Sequence, residues 1–328
     1  MKTVTVEAEG LKRDFDFKGG RVVALDGVDL EVQEGEIFGV LGPNGAGKTT
    51  LIRILSTLLL PTGGRARVMG HDVAGEPERV RPLISMASGA ERVGWDYISA
   101  RANLWFFSQL YGIPSGEARR RVDELSRELG LTENLDKKFY ALSTGYKQRL
   151  TMVRAFINDP RVVFLDEPTI GLDVMTSLSI REFLLAQARE HGRTIMMATH
   201  NMAEVDAMCD KVAIIDRGRI LASGTPASLK RSLGVPALVL EMALDSGDPD
   251  SLRSVEGVQG MTSAVDAERG VVRVKLLVKD ERCADLVMEA AARSGCSVFS
   301  HWMQGPTLEE VFVSLVGRGF SEREKEVA

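Results

Sequence analysis

The chain has 328 residues, of which 44% are hydrophobic and 27% charged; this is ordinary globular usage and excludes a disordered or fibrous polymer. The net charge of −5 is uneven, since residues 1–230 carry 30 basic and 30 acidic side chains and the whole surplus falls in residues 231–328. Neither part has the basic excess that phosphate-backbone binding uses, so no nucleic-acid partner is expected.

The first residues carry acids where a secretory signal has an apolar core. Strands are predicted at Thr3–Val6, Val22–Leu25, Leu30–Val32 and Ile37–Leu41, with a turn at Lys18–Gly20. The fourth strand runs into a glycine-rich loop and a helix beginning near Lys48. Residues 97–158 read as a helical insertion, with helices at Leu104–Tyr111 and Tyr146–Ile157. Between them lies a third, capped by Ser115, carrying Val122, Leu125 and Leu129 on one face and ended by Gly130. Strands return at Val162–Leu165, Thr194–Thr199 and Val212–Ile215, separated by helices, which predicts a parallel sheet. No stretch reaches the roughly 18 uncharged apolar residues of a membrane span.

Residues 229–328 read as a second domain. The order is strand (Ala237–Met242), helix (Ser251–Val255), hairpin turning at Asp266–Gly270, helix (Ala284–Ala292), strand (Ser297–His301) and helix (Leu308–Val316). That is a small α+β, ferredoxin-like pattern. Thr307 and Glu310 make a capping box for the last helix. Cys209, Cys283 and Cys296 are scattered, without metal-site spacing, and fit a reducing compartment.

Two motifs carry chemistry. The run Gly42-Pro43-Asn44-Gly45-Ala46-Gly47-Lys48-Thr49 matches the full phosphate-loop pattern between a strand and a helix. Its glycines let successive N–H groups face phosphate oxygens, Lys48 reaches the β- and γ-phosphates, and Thr49 offers a hydroxyl to Mg²⁺; Thr50 completes the loop. The second motif is the apolar run Val162–Leu165 ending in Asp166 and Glu167. Asp166 is the candidate for the Mg²⁺ shell and Glu167 for polarising an attacking water. No Asn-Lys-x-Asp string follows, so a GTPase is unsupported.

Further strings decide between families. Leu142-Ser143-Thr144-Gly145-Tyr146 precedes the acid strand, Gly171-Leu172-Asp173 follows it, and Thr199-His200 ends the next strand. In this order the set resembles the ATP-binding cassette family over about residues 1–228, which implies a cassette with an antiparallel β subdomain and a helical insertion. The resemblance implies that Ser143 and Gly145 contact the γ-phosphate of a nucleotide held by a second copy. It places Asp173 in the loop joining the two sites, His200 on the γ-phosphate and Phe15 against adenine. Two departures stand out. Thr144 and Tyr146 replace the Gly and Gln usual in the signature, and no Gln lies near Gly89. Glu91 is the nearest polar substitute there.

The finer resemblance is to exporter ATPases of the daunorubicin-resistance kind. It rests on Ser143–Leu150, on Asn103-Leu104 before an aromatic helix ending Leu110-Tyr111-Gly112, and on Pro306–Leu315. It implies a homodimeric, ATP- and Mg²⁺-dependent subunit held on the inner face of the cell membrane by a separate permease. Catalysis would fall to Lys48, Glu167 and His200. The other readings are a cassette ATPase remodelling ribosomes or DNA, an importer ATPase, and a C-terminal domain that binds a regulator.

Overall fold

A computed structural model describes residues 3–17, 20–89, 94–232, 236–244, 247–266, 269–280 and 282–316. The chain divides into two compact units, Met1–Pro226 and Ala227–Ala328.

In the first unit, β1 (Val4–Phe17) and β2 (Gly20–Gln33) form one long hairpin, followed by β3 (Ile37–Leu41) and α1 (Lys48–Leu55). Next come β4 (Gly63–Val68), β5 (His71–Asp72), the short α2 (Pro77–Val80) and β6 (Ile84–Ser88). Three helices, α3 (Ala100–Leu110), α4 (Ser115–Glu128) and α5 (Thr144–Phe156), pack on one another as the helical insertion. The remainder alternates as β7 (Val162–Asp166), α6 (Val174–Arg189), β8 (Thr194–Thr199), α7 (Met202–Met208), β9 (Lys211–Asp216) and β10 (Arg219–Gly224).

These strands make two sheets. One is antiparallel, in the order β2-β1-β4-β5. The other, in the order β10-β9-β3-β8-β7-β6, is parallel except for its β10 edge. Every residue of β3, β7 and β8 is buried, as continuous apolar runs in the centre of a parallel sheet require. One core joins both sheets through α1, whose Leu51, Ile52, Ile54 and Leu55 are all sealed from solvent.

Two local expectations are corrected. The separate strands predicted before residue 33 are parts of two fourteen-residue strands, two of whose four register shifts lie beside Gly10 (φ 53°) and Gly27 (φ 77°). Those glycines bulge the ladder instead of turning the chain, because both flanks remain paired. Ser115 is the first residue of α4 and makes no side-chain cap there. The turn predicted at Lys18–Gly20 lies partly outside the described residues.

The second unit contains α8 (Pro226–Ser232, its first residue being the last of the first unit), β11 (Ala237–Ala243), β12 (Val258–Asp266), β13 (Val271–Val278), α9 (Cys283–Arg293) and β14 (Val298–Gln304). A last helix, α10, covers residues 308–316. The sheet order β12-β13-β11-β14, antiparallel throughout, is the ferredoxin-like arrangement. The helix predicted at Ser251–Val255 is instead a tighter 3₁₀ segment, Pro249–Ser254, started by Asp248 and proline. The capping box forms: Thr307 N–H donates to Glu310 at 2.9 Å and Glu310 N–H to the Thr307 hydroxyl at 3.3 Å. This unit has its own core, centred on Leu238, Leu240, Leu276 and Val287. Among the described residues, no helix is long and apolar enough to cross a membrane.

Candidate functional site

The loop between β3 and α1 is fixed by close approaches that exclude side chains. A Cβ on Gly42 would lie 2.3 Å from the Ile215 carbonyl oxygen, and one on Gly47 would lie 2.4 Å from that of Ala24. Gly47 also sits at φ 107°, which L side chains rarely adopt. The loop is thereby pinned between β9 and β2. Asn44 and Gly45 are exposed at its crest, with Pro43 half-buried and Ala46 buried. Thr49 and Thr50 open α1, half-buried.

Lys48 curls back into the loop. Its Nζ donates to the Gly42 carbonyl at 2.7 Å and to that of Pro43 at 3.2 Å, and the residue is only 5% exposed. An ammonium held there makes the loop interior positive without a competing anion closer than Glu167, 3.6 Å away.

The ends of β7 and β8 supply the rest. The Thr49 hydroxyl donates to Asp166 Oδ2 at 2.8 Å, whereas Asp166 Oδ1 is buried without a hydrogen-bond partner. Burial pushes the Asp166 carboxyl above the usual carboxylate range; the Thr49 bond opposes this, and the neighbouring Glu167 charge adds to it. An unpaired buried carboxylate oxygen beside a hydroxyl suits a hard divalent cation that completes its shell with phosphate and water oxygens. It needs no cage of protein carboxylates, and among the described residues no cluster of three or more His, Cys, Asp or Glu exists. Thr49 and Asp166 therefore fit Mg²⁺.

Glu167 follows with φ 51°, a left-handed backbone that costs about 1 kcal/mol or more for a residue with a side chain. Its N–H is tied to the Ala198 carbonyl on β8. His200 Nδ1 lies 2.9 Å from each Glu167 carboxylate oxygen. Since a carboxylate only accepts, Nδ1 carries the proton in this pair.

A second cluster forms around the start of α5. Ser143 caps that helix, accepting from Tyr146 N–H at a long 3.4 Å. A Cβ on Gly145 would lie 2.9 Å from the Thr176 hydroxyl, and that hydroxyl donates to Asp173 at 2.7 Å. Asp173 caps α6, also accepting from Thr176 N–H, and these bonds hold its carboxyl below the usual range. Ser143, Gly145 and Asp173 thus share one surface. Among the described residues, no hydrogen bond joins Ser143 or Asp173 to Lys48, Thr49 or Asp166. Within one chain the two clusters are therefore separate.

Phe15 is half-buried on β1 opposite Val22, two residues from the Ala24 carbonyl that touches the loop, with Arg13 stacked 4.5 Å from its ring centre. Glu91 lies outside the described residues. Gly89, just before it, donates its N–H to the Asp166 carbonyl, and a Cβ there would lie 2.0 Å from the Glu167 carbonyl oxygen.

The sequence reading missed three contributors. Gln148 reaches the Pro168 carbonyl, Thr199 donates to Glu204, and Thr169 donates to the same buried carboxylate. They border or brace a cleft of about 390 Å³ that Glu167 and His200 line. A larger cavity, about 580 Å³, lies in the second unit beside Lys275 and Leu277.

A family model described as ABC transporter matches residues 25–170. The daunorubicin/doxorubicin resistance ATP-binding protein DrrA of Streptomyces peucetius is 34% identical, the alignment covering 99% of this chain and 96% of the relative. The linearmycin resistance ATP-binding protein LnrL of Bacillus subtilis is 30% identical over 95% of this chain and 98% of its own. Among solved structures, cbiO1 of Clostridium perfringens, described as part of an ABC transporter complex, superposes with TM-score 0.62 and 29% identity. That match covers 69% of this chain and 90% of cbiO1. A dimeric ATP-binding cassette bound to ADP and Pi shares the fold at TM-score 0.61 and 23% identity, covering 67% of this chain and 98% of its own.

Proposed function

The chain belongs to the ABC transporter family, and we propose that it is the ATP-hydrolysing subunit of an exporter whose membrane-spanning permease is a separate protein. The ATPase reading rests on the convergence of Lys48, Thr49, Asp166, Glu167 and His200 from three separate segments onto the loop between β3 and α1. The exporter reading rests on likeness to resistance ATP-binding proteins through both units.

The loop N–H groups and the Lys48 ammonium bind the β- and γ-phosphates, and Phe15 lies against the adenine. Thr49 and Asp166 would hold Mg²⁺, which neutralises charge on the phosphate oxygens. The Glu167 carboxylate orients a water and accepts its proton as the water oxygen bonds to the γ-phosphorus. The bond from that phosphorus to the β–γ bridging oxygen breaks, and ADP leaves with the electron pair. His200, fixed by Glu167, contacts the γ-phosphate. Ser143 and Gly145 complete the site of a second copy, so two chains work head to tail with Asp173 at the junction. The pair sits on the cytoplasmic face of the membrane through the permease.

Glu167→Gln tests the core of this reading. The variant is expected to bind ATP at parent affinity, lose turnover by at least about 100-fold and accumulate as an ATP-bound dimer on size-exclusion chromatography. Parent-rate hydrolysis would remove Glu167 as the base.

A further inference from the structure

Glu167 is held by more than its own strand. Pro168, the next residue, has a ring-restricted φ and no N–H, so its carbonyl is the one backbone group through which that residue can be anchored by a hydrogen bond. Gln148 Nε2 donates to this carbonyl at 2.7 Å, and Gln148 is 7% exposed. The residue after Pro168 is tied from the other side, where the Thr169 hydroxyl donates to the buried Glu204 of α7. The segment following the base is therefore clamped between α5 and α7.

Gln148 lies on the helix that begins with Ser143 and Gly145. Its amide is a neutral donor spanning 20 residues of sequence to a carbonyl that no ladder pairs. Loss of this bond frees the α5 side of the clamp and leaves the left-handed Glu167 held by its N–H to Ala198, by the Ile170 N–H on its carbonyl and by the Thr169 tie to α7.

We propose that Gln148 is a positioning residue for ATP hydrolysis. By holding the Pro168 carbonyl it fixes the backbone that aims the Glu167 carboxylate, and it makes that aim depend on where the helix starting at Ser143 sits. The inference rests on the reading of Glu167 as the base. In a head-to-tail pair, the helix end that touches one nucleotide is then mechanically tied to the base acting on the other.

Gln148→Met keeps length and volume and removes the donor. Its kcat is expected to fall about 10- to 100-fold, the scale of a small misplacement of a reacting group, while ATP affinity stays within about threefold. Gln148→Glu regains a donor only when protonated, and burial raises that carboxyl's pKa. The ratio of its kcat to the parent's is therefore expected to rise as pH is lowered from about 8 to about 6, whereas the Gln148→Met ratio stays flat. In a Glu167→Gln background, adding Gln148→Met is expected to leave the residual rate unchanged. Parent-like kcat for Gln148→Met, a flat Gln148→Glu ratio, or a further loss in the Glu167→Gln background would overturn the proposal. An active Glu167→Gln would remove both the base and this inference, whereas an inactive Glu167→Gln beside a fully active Gln148→Met removes this inference alone.

Discussion

Gly89 shows how much of the site depends on one missing methyl group. Its N–H is spent on the Asp166 carbonyl, and the space a Cβ would need is filled by the Glu167 carbonyl oxygen at 2.0 Å and Ile170 at 2.9 Å. Backbone atoms cannot yield as a flexible side chain can, so an added methyl has to push the residue that carries the base. Lys48 and Thr49, the proposed phosphate and metal contacts, bond to the Gly42 and Pro43 carbonyls and the Asp166 side chain and not to Gly89. Gly89→Ala is therefore expected to lower kcat about tenfold or more and leave ATP affinity close to the parent's, as read by steady-state ATPase assay and nucleotide titration. Retention of the parent kcat would mean that the Glu167 carbonyl is free to move without consequence.

Helix caps separate binding roles from folding roles at the scale of elements. Asp173 caps α6 with two bonds from Thr176, at 2.9 and 2.7 Å, whereas Ser143 caps α5 with a single long one. Those bonds hold the Asp173 carboxyl below its unfolded value, so its stabilisation is present above roughly pH 3.9 and is lost as pH falls through the lower folded value. Asp173→Ala should melt below the parent at neutral pH, with the gap closing as the solution is acidified to about pH 3. A gap constant across that range would contradict the cap. Ser143→Ala should melt within about 2 °C of the parent yet lose ATPase activity. The same elements show what was legible beforehand. The phosphate loop and the acid pair are contiguous strings that spacing exposes, whereas Ser143 and Asp173 are picked out by the family resemblance. Gln148 on Pro168 and Glu204 on Thr169 join segments 20 and 35 residues apart; in sequence Gln148 reads only as part of the Ser143–Leu150 string, which says nothing of what its amide holds. In sequence the β1–β2 hairpin reads as separate short strands, with Gly10 and Gly27 left between them. Only cross-strand pairing shows them to be bulges.

At the scale of the whole molecule, the proposed coupling to a permease calls for a docking surface on the cassette, and no helix among the described residues is long and apolar enough to cross a membrane. The helical insertion and its approach expose large apolar side chains suited to such a contact. Tyr97 is 82% exposed and Leu110 67%, with Trp95, Trp105, Tyr111 and Tyr140 each between 43% and 56%. Some of these rings are also structural: Trp95 packs edge-on to Phe106 at 4.4 Å and lies 5.7 Å from Phe107. Tyr97 and Leu110 are the least supported by their own chain, so removing them costs the fold little, while leaving them bare in water is the kind of exposure a partner relieves. The double variant Tyr97→Ala, Leu110→Ala is accordingly expected to keep the parent's melting temperature and basal ATPase rate. It should, however, be recovered from membranes with a multi-span permease several-fold less than the parent. Equal recovery of both would place the docking surface elsewhere on the cassette, and recovery of the parent with ribosomes instead of a permease would remove the exporter reading altogether.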